Sequence, residues 1–202
     1  EEVFTLEEAA EAFSVERIST SPVSFSLDKL DWYNGIYLRR LSHEELAQRC
    51  LPFLQKDGLL PDPCPPERFA YLVRLMPLIQ ERIKLLSEIS QAVGYFLQEE
   101  IEPPEPALII GKKGTPEETV TILQETVAVI EALTDFGEEN LEQTLRALAD
   151  RLALKPGRVF MPIRVAVTGQ AATPGLFELL AALGKQKVLN RLQQAITVLR
   201  KG

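Results

Sequence analysis

Residues of the types that usually carry chemistry are few in this chain. His43 is the single histidine, and Cys50 and Cys64 are the two cysteines. His43 directly follows a helix-cap signal, and no serine, cysteine or carboxylate is spaced to use it as a base, so it reads as a surface residue. The cysteines have neither Cys-x-x-Cys nor His-x-x-x-His spacing around them and no evident fourth ligand, so they read as structural thiols and not as metal ligands. Gly111-Lys112-Lys113-Gly114-Thr115 resembles a phosphate loop only briefly. The Walker glycine spacing is missing and no strand clearly precedes it, which leaves a turn. No dinucleotide fingerprint is present either. By itself the chain is expected to be no enzyme and to hold no cofactor.

The charged residues are more informative. The net charge is -7 over 202 residues, a balance that argues against a polyanionic partner when taken whole. Split by segment, residues 1–150 carry -15, whereas residues 151–202 hold nine cations against the single acid Glu178, a net +8. The cations are Arg151, Lys155, Arg158, Arg164, Lys185, Lys187, Arg191, Arg200 and Lys201. Such a segment can displace counterions from a phosphate backbone, the largest sequence-independent contribution to nucleic-acid affinity. A solvated basic face, serving solubility or subunit contact, is the competing reading.

The elements that must position these groups are helical. With 46% hydrophobic and 25% charged residues, the chain has the composition of a folded globular protein, which excludes disorder and a collagen-like rod. The longest apolar stretch, Leu176–Leu183, is interrupted by Glu178 and falls far short of the roughly 20 residues a bilayer crossing needs. With so few cysteines, a reducing, cytoplasmic setting is expected. A chain that starts at Glu1 with neither Met nor a signal segment is expected to be a fragment.

Thr5 with Glu8 and Ser42 with Glu45 have capping-box spacing, and Ser26 opens a helix that Asn34-Gly35 is expected to bend or end. Gly58 should close the helix begun at Ser42. From Pro65 to Leu97 apolar residues recur with a period near 3.6, and Pro77 is expected to kink or break that run into two helices. Residues 99–114, rich in Pro, Gly and acids, read as the longest linker and as a domain boundary. Thr115, Pro116 and Glu118 form a further capping box before a helix to about Phe136, and Glu138 to Leu152 forms the next. Ile163 to Val167 has the branched residues of a strand, but it fits a short buried helix equally well. Pro174 is expected to open a helix that Gly184 closes, and Leu189, Leu192, Ile196 and Leu199 line one face of a last helix. The fold class is all-α.

Two segments carry a family resemblance. Phe25-Ser26-Leu27-Asp28-Lys29-Leu30-Asp31-Trp32-Tyr33-Asn34-Gly35-Ile36-Tyr37-Leu38-Arg39 resembles the signature that follows the catalytic half of bacterial glutamyl-tRNA synthetases. Pro162-Ile163-Arg164-Val165-Ala166-Val167-Thr168-Gly169, with Thr173-Pro174-Gly175-Leu176-Phe177-Glu178 and Leu183-Gly184-Lys185, is similar to the close of the same family. The resemblance implies two helical-bundle subdomains of an anticodon-binding domain. It divides the chain into a stem-contact remnant (1–40), subdomain 1 (41–102) and subdomain 2 (103–202). It implies a parent enzyme that uses ATP and Mg to join glutamate to its tRNA, with the catalytic half absent from these residues. The partner is then glutamate tRNA, with glutamine tRNA left open as a second one, and the chain is expected to be a monomer with no DNA or membrane partner.

The resemblance also assigns roles. Arg82 looks like the arginine that reads the first anticodon letter, a cytosine, although an Arg paired with a nearby acid would look the same in sequence. Arg164, Thr173, Pro174 and Leu176 match positions that contact the remaining letters. Lys29, Trp32 and Arg39 are set against the inside corner of the tRNA, although Trp32 in a helical pattern reads more readily as a core residue. Arg158, Lys185, Lys187 and Arg191 are candidates for backbone contacts. Arginine forks and hydroxyl donors beside apolar platforms suit splayed, single-stranded bases. A protein-interaction module docking an acidic partner is the alternative.

Overall fold

Capping signals in the sequence are used at the helix starts. Ser42 Oγ accepts from the Glu45 amide while the Glu45 carboxylate returns to the Ser42 amide at 2.9 Å, and Thr5 with Glu8 makes the same reciprocal pair. Ser42 Oγ also donates to the Glu45 carboxylate at 2.7 Å, and this bond first, the Ser42 amide second, holds the Glu45 carboxyl below its ordinary pKa. Thr115 forms only half of its box. Its hydroxyl accepts from the Glu118 amide, but the Glu118 carboxylate turns away to Arg158.

The computed structural model describes residues 5–15 and 26–201; Phe25, at the head of the first family-like segment, lies outside them. Eleven α-helices follow in order: α1 (Leu6–Ala12), α2 (Leu27–Arg40), α3 (His43–Lys56), α4 (Pro66–Ile79), α5 (Ile89–Leu97), α6 (Pro106–Ile110), α7 (Pro116–Ala132), α8 (Glu138–Arg151), α9 (Pro156–Thr168), α10 (Leu176–Leu183) and α11 (Lys185–Leu199). No strand occurs among the described residues, so the chain is all-α and Ile163 to Val167 lies within α9.

Several expectations are corrected. α2 runs through Asn34-Gly35 without ending. A Cβ built on Gly35 would meet the flexible end of the Arg39 side chain at 3.2 Å and Lys84 in ordinary contact at 3.6 Å. α4 continues two residues past Pro77, because losing one amide donor in a last turn costs little when Met76 and Ile79 beside it are fully buried. The expected period is then interrupted by the turn from Gln80 to Leu85 and a 3-10 turn, Leu86–Glu88. The 99–114 stretch is no bare linker, since it contains α6, whose Ile109 is fully buried and which packs on α9. α10 starts at Leu176, two residues after Pro174.

α3, α4 and α5 pack on one another, while α11 lies against α7, α9, α10 and α6. One continuous apolar core runs through both groups, from Leu38 and Leu46 to Leu192 and Leu199. Across the seam, the Tyr71 hydroxyl of α4 donates to Ala182 O of α10 at 2.9 Å.

The decisive polar contacts come from the first two turns of α11. Lys185 Nζ donates to Glu131 O and Leu133 O at 2.9 and 2.7 Å, at the C-terminal end of α7. Lys187 Nζ donates to Phe96 O at 3.1 Å, at the end of α5. Arg191 is 1% exposed and donates to Val167 O of α9 at 2.7 Å and to Gln98 O, just past α5, at 2.8 Å. Carbonyls at a helix C-terminus lack intrahelical partners and carry the negative end of the dipole, so a cation satisfies both needs at once. Burial pushes the Arg191 pKa down to about 10, with Glu99 and Tyr71 acting in the opposite sense, and the guanidinium stays charged at neutral pH. Its Nε has no hydrogen-bond partner.

Arg191→Leu keeps much of the buried volume but strands two carbonyls. It should cost about 2–5 kcal/mol, the range for uncovering buried acceptors of a charged donor. Urea unfolding checks this, and a loss under about 1 kcal/mol would show that water satisfies those carbonyls instead. The thiols give a second test. Cys50 is fully buried, and burial pushes its pKa up to about 12. An aromatic disulfide reagent should therefore titrate Cys64 in the native protein and Cys50 only on unfolding; two equivalents reacting natively would contradict this packing.

Candidate nucleic-acid interface

α9 ends where Gly169 adopts φ +74°, a left-handed conformation that glycine takes without cost. The chain then loops from Gln170 to Gly175 before α10. Thr168 fastens the turn, its hydroxyl donating to Arg164 O at 2.7 Å and accepting from the Gln170 amide at 3.1 Å. Arg164, one helical turn earlier, reaches up into the loop. Its Nη1 donates to the Thr173 hydroxyl and carbonyl and to Pro174 O, the last at 2.6 Å. Gln170 crosses the seam and donates to Gln91 O of α5 at 3.2 Å.

This loop forms one wall of a cleft of about 310 Å³, with α5 and the turn after α4 as the other. Arg82, Glu88, Gln91, Tyr95, Gln170 and Thr173 line it. Arg82 is exposed, and no carboxylate pairs with it among the described residues. Arg164 is half-buried and keeps Nε and Nη2 free of protein partners, whereas Nη1 is committed to the loop. Burial lowers the Arg164 pKa, and the Arg82 charge adds to the effect. Burial likewise pushes the Tyr95 hydroxyl up to about 12 against the pull of both arginines. At neutral pH the cleft thus presents the Arg82 guanidinium and an un-ionised phenol, with the Arg164 charge nearby behind the loop. The Glu88 carboxylate is spent on the Lys84 and Leu85 amides at 2.7 and 3.2 Å.

Arg82, Thr173 and Pro174 therefore line one cleft, and Arg164, 82 residues from Arg82 along the chain, does not line it but holds the loop that forms its wall. Leu176 does not reach the surface: it is 4% exposed, with its side chain in the core. Thr173 and Pro174 are buried too, and the exposed residues of the loop are Ala171, Ala172 and Gly175. Gln91, Tyr95 and Gln170 escaped the sequence reading. Glu88, Gln91 and Tyr95 follow helical spacing along α5, a polar stripe on an otherwise apolar helix, which was the signal available.

The basic segment is redistributed in space. Arg151 pairs with Glu125 at 2.6 Å and Arg158 with Glu118 at 2.5 Å. Lys187 reaches Glu99 at 3.4 Å in addition to its carbonyl. With Lys185 and Arg191 on helix ends and Arg164 in its loop, six of the nine cations are engaged by the chain itself. Lys155, Arg200 and Lys201 stay exposed. Charge polarised along the sequence is intermixed in the fold.

α2 offers a different surface. Trp32 is 45% exposed and packs edge-on against Tyr33 at 5.0 Å. Lys29 lies over the Tyr33 ring at 5.7 Å, and Arg39 is 3.8 Å from the Glu81 carboxylate. Trp32 is thus at the surface and not in the core. His43 is exposed, and no cluster of three or more His, Cys, Asp or Glu residues that could hold a metal occurs among the described residues.

Comparison with known proteins places this geometry. Residues 45–196 match the family model described as an anticodon binding domain. Over 200 residues the chain is 42% identical to a glutamate–tRNA ligase of Chloroflexus aurantiacus, covering 98% of this chain and 40% of that protein. A Roseiflexus glutamate–tRNA ligase is 43% identical over 194 residues, covering 96% and 38%. The chain thus spans about 40% of the length of these curated relatives. The same fold occurs in the crystal structure of a glutamate tRNA ligase from Elizabethkingia meningosepticum, with TM-score 0.82 at 23% identity, over 98% of this chain and 38% of that one. With a family model matching most of its length, the chain belongs to the anticodon-binding domain family.

Proposed function

We propose that the chain is the anticodon-binding part of a glutamate–tRNA ligase and grips the anticodon loop of glutamate tRNA in the cleft between α5 and the Gln170–Gly175 loop. The observation that carries this reading is a cleft lined by Arg82, Tyr95 and the loop that Arg164 holds in shape, in a chain of this family. In this reading the exposed Arg82 fork donates to the edge of an anticodon base. Arg164 offers Nε and Nη2 to another base while its Nη1 keeps the loop in shape. Tyr95 supplies a neutral hydroxyl and a ring edge at the floor.

Residues 41–102 and 103–202 are then two subdomains that meet along the cleft, with residues 1–40 as the stem-contact piece. Lys29, Trp32 and Arg39 on α2 face the tRNA inside corner. Arg158, Lys185, Lys187 and Arg191 move from the backbone-contact set to the scaffold, because their donors are already engaged. Phosphate contacts fall instead to Lys155, Arg200 and Lys201. Attachment of glutamate with ATP and Mg belongs, in this proposal, to the whole ligase and not to this chain, which would act in the cytoplasm as a monomer. Acceptance of glutamine tRNA, whose anticodon differs from that of glutamate tRNA at the third letter, is left open as a second partner. No helix among the described residues is long and apolar enough to cross a membrane. The intermixed charges leave a protein-docking basic face without its main support.

Binding of the chain to a glutamate tRNA transcript, and to the same transcript with its anticodon replaced, tests the proposal at two salt concentrations. A preference of about tenfold, equal to 1.4 kcal/mol, for the native anticodon is expected, and equal affinities would reject it. Arg164→Ala should weaken the native transcript more than the altered one. An equal loss for both would reduce Arg164 to a non-specific contact.

A further inference from the structure

The Lys112-Lys113 turn between α6 and α7 belongs neither to the core nor to the cleft. Gly114 lets the chain fold back tightly there, since a Cβ on it would collide with Ile110 O. Arg158 of α9 pins the turn from inside. It donates to Lys113 O and holds both oxygens of the Glu118 carboxylate, at 2.5 and 2.6 Å. The two lysines are exposed, and neither ammonium meets a carboxylate among the described residues. They rim a slot of about 240 Å³ to which Ile110, Ile122 and Met161 give apolar walls. Glu118 is the one acid among the described residues that line it, and Arg158 already neutralises that charge.

The slot opens beside the helix that also carries Arg164. Gly157, Met161 and Arg164 recur at i, i+4 and i+7 along α9 and so share one side of it. Met161 on that stripe is 42% exposed, while Val159, Ile163 and Val165 on the other sides are buried. The stripe leads from the slot at the start of α9 to the cleft loop at its end. From Gly157 to Arg164 the helix advances about 10 Å, the reach of about three phosphates at roughly 3.4 Å of strand each. The exposed Lys155 stands at the same end of α9 as the slot. We infer that the slot is a second RNA contact: Lys112 and Lys113 hold phosphates of the anticodon arm beside the anticodon, and a sugar or base lies on Met161. This rests on the reading of the cleft given above. RNA fits better than an acidic peptide because the stripe is continuous with the anticodon cleft. Ammonium groups on flexible stems also suit phosphates, which they meet as point charges without a fixed fork geometry.

Five chains test it: the unaltered protein, Lys112→Ala, Lys113→Ala, Met161→Glu and, as a control, Lys56→Ala at the exposed end of α3. Each is titrated over a salt series with the glutamate tRNA transcript and with the same transcript carrying a replaced anticodon. Each slot lysine should cost about two- to fivefold in affinity, the worth of an exposed ion pair, and cost it equally for both transcripts. Each should also flatten the logarithmic salt dependence by about one charge. Met161→Glu sets a carboxylate in the path of the strand and should weaken both transcripts as well. Hydroxyl-radical footprinting should show backbone protection beside the anticodon that Lys112→Ala combined with Lys113→Ala removes, while the anticodon itself stays protected. Affinity, salt dependence and footprint all unchanged in the lysine variants overturn the inference and leave the slot to an acidic protein partner. A loss no greater than that of Lys56→Ala reduces the lysines to bulk charge and also overturns it. Equal binding of both transcripts by the unaltered chain rejects instead the reading of the cleft, and this inference with it.

Discussion

Everything in this fold leans on the cations of α11 seated on the carbonyl ends of other helices. The eleven α-helices of the described residues have eleven C-terminal ends, each with up to four carbonyls that no intrahelical amide can reach. Exposed ends can turn to water. The ends of α5, α7 and α9 converge near α11, and there Lys185, Lys187 and Arg191 take over. Arg191 is the extreme case, a buried guanidinium compensated by carbonyl dipoles and more distant charge and not by a close ion pair. The arrangement is directional in a way that apolar packing is not. Two carbonyls from different helices must present themselves to one planar fork, which fixes the angle at which α5 and α9 meet.

That angle is what builds the cleft. α5 carries Tyr95 and Gln91, α9 carries Arg164, and both helices end on Arg191. Three arginines thus stand at graded depths along one seam. Arg191 gives both terminal nitrogens to the scaffold, Arg164 gives Nη1 to the loop, and Arg82 is uncommitted among the described residues. The gradient separates two jobs that compete for the same donors, since every N–H used to hold the protein together is one that a base cannot use.

Local features were legible from the sequence because their causes are local. The caps at Thr5 and Ser42, the stop at Gly58 and the apolar face of α11 each rest on residues within a few positions of one another. The nearness of Arg82 and Arg164 came from a family resemblance and not from periodicity. What escaped was non-local. Glu118 has the spacing of a capping box, yet a guanidinium 40 residues away offers it a charged pair and wins. Ile109 sits in a stretch full of prolines and still anchors a helix, because α9 offers it a buried slot. Tyr95 looks like one more core aromatic until the loop from α9 arrives opposite it.

The charge asymmetry shows why composition misled. A count of nine cations against one acid describes a surface only if those side chains share one, and a sequence segment in a helical bundle does not. α11 contributes to the centre of its bundle, so its basic residues meet the carbonyls and carboxylates of the acidic segments before they meet solvent. The excess is therefore internal neutralisation. It follows that affinity for a polyanion cannot be spread over the basic segment as a whole. It must come from a few uncommitted groups in fixed places, and such an interface depends more on the aim of each group than on their number.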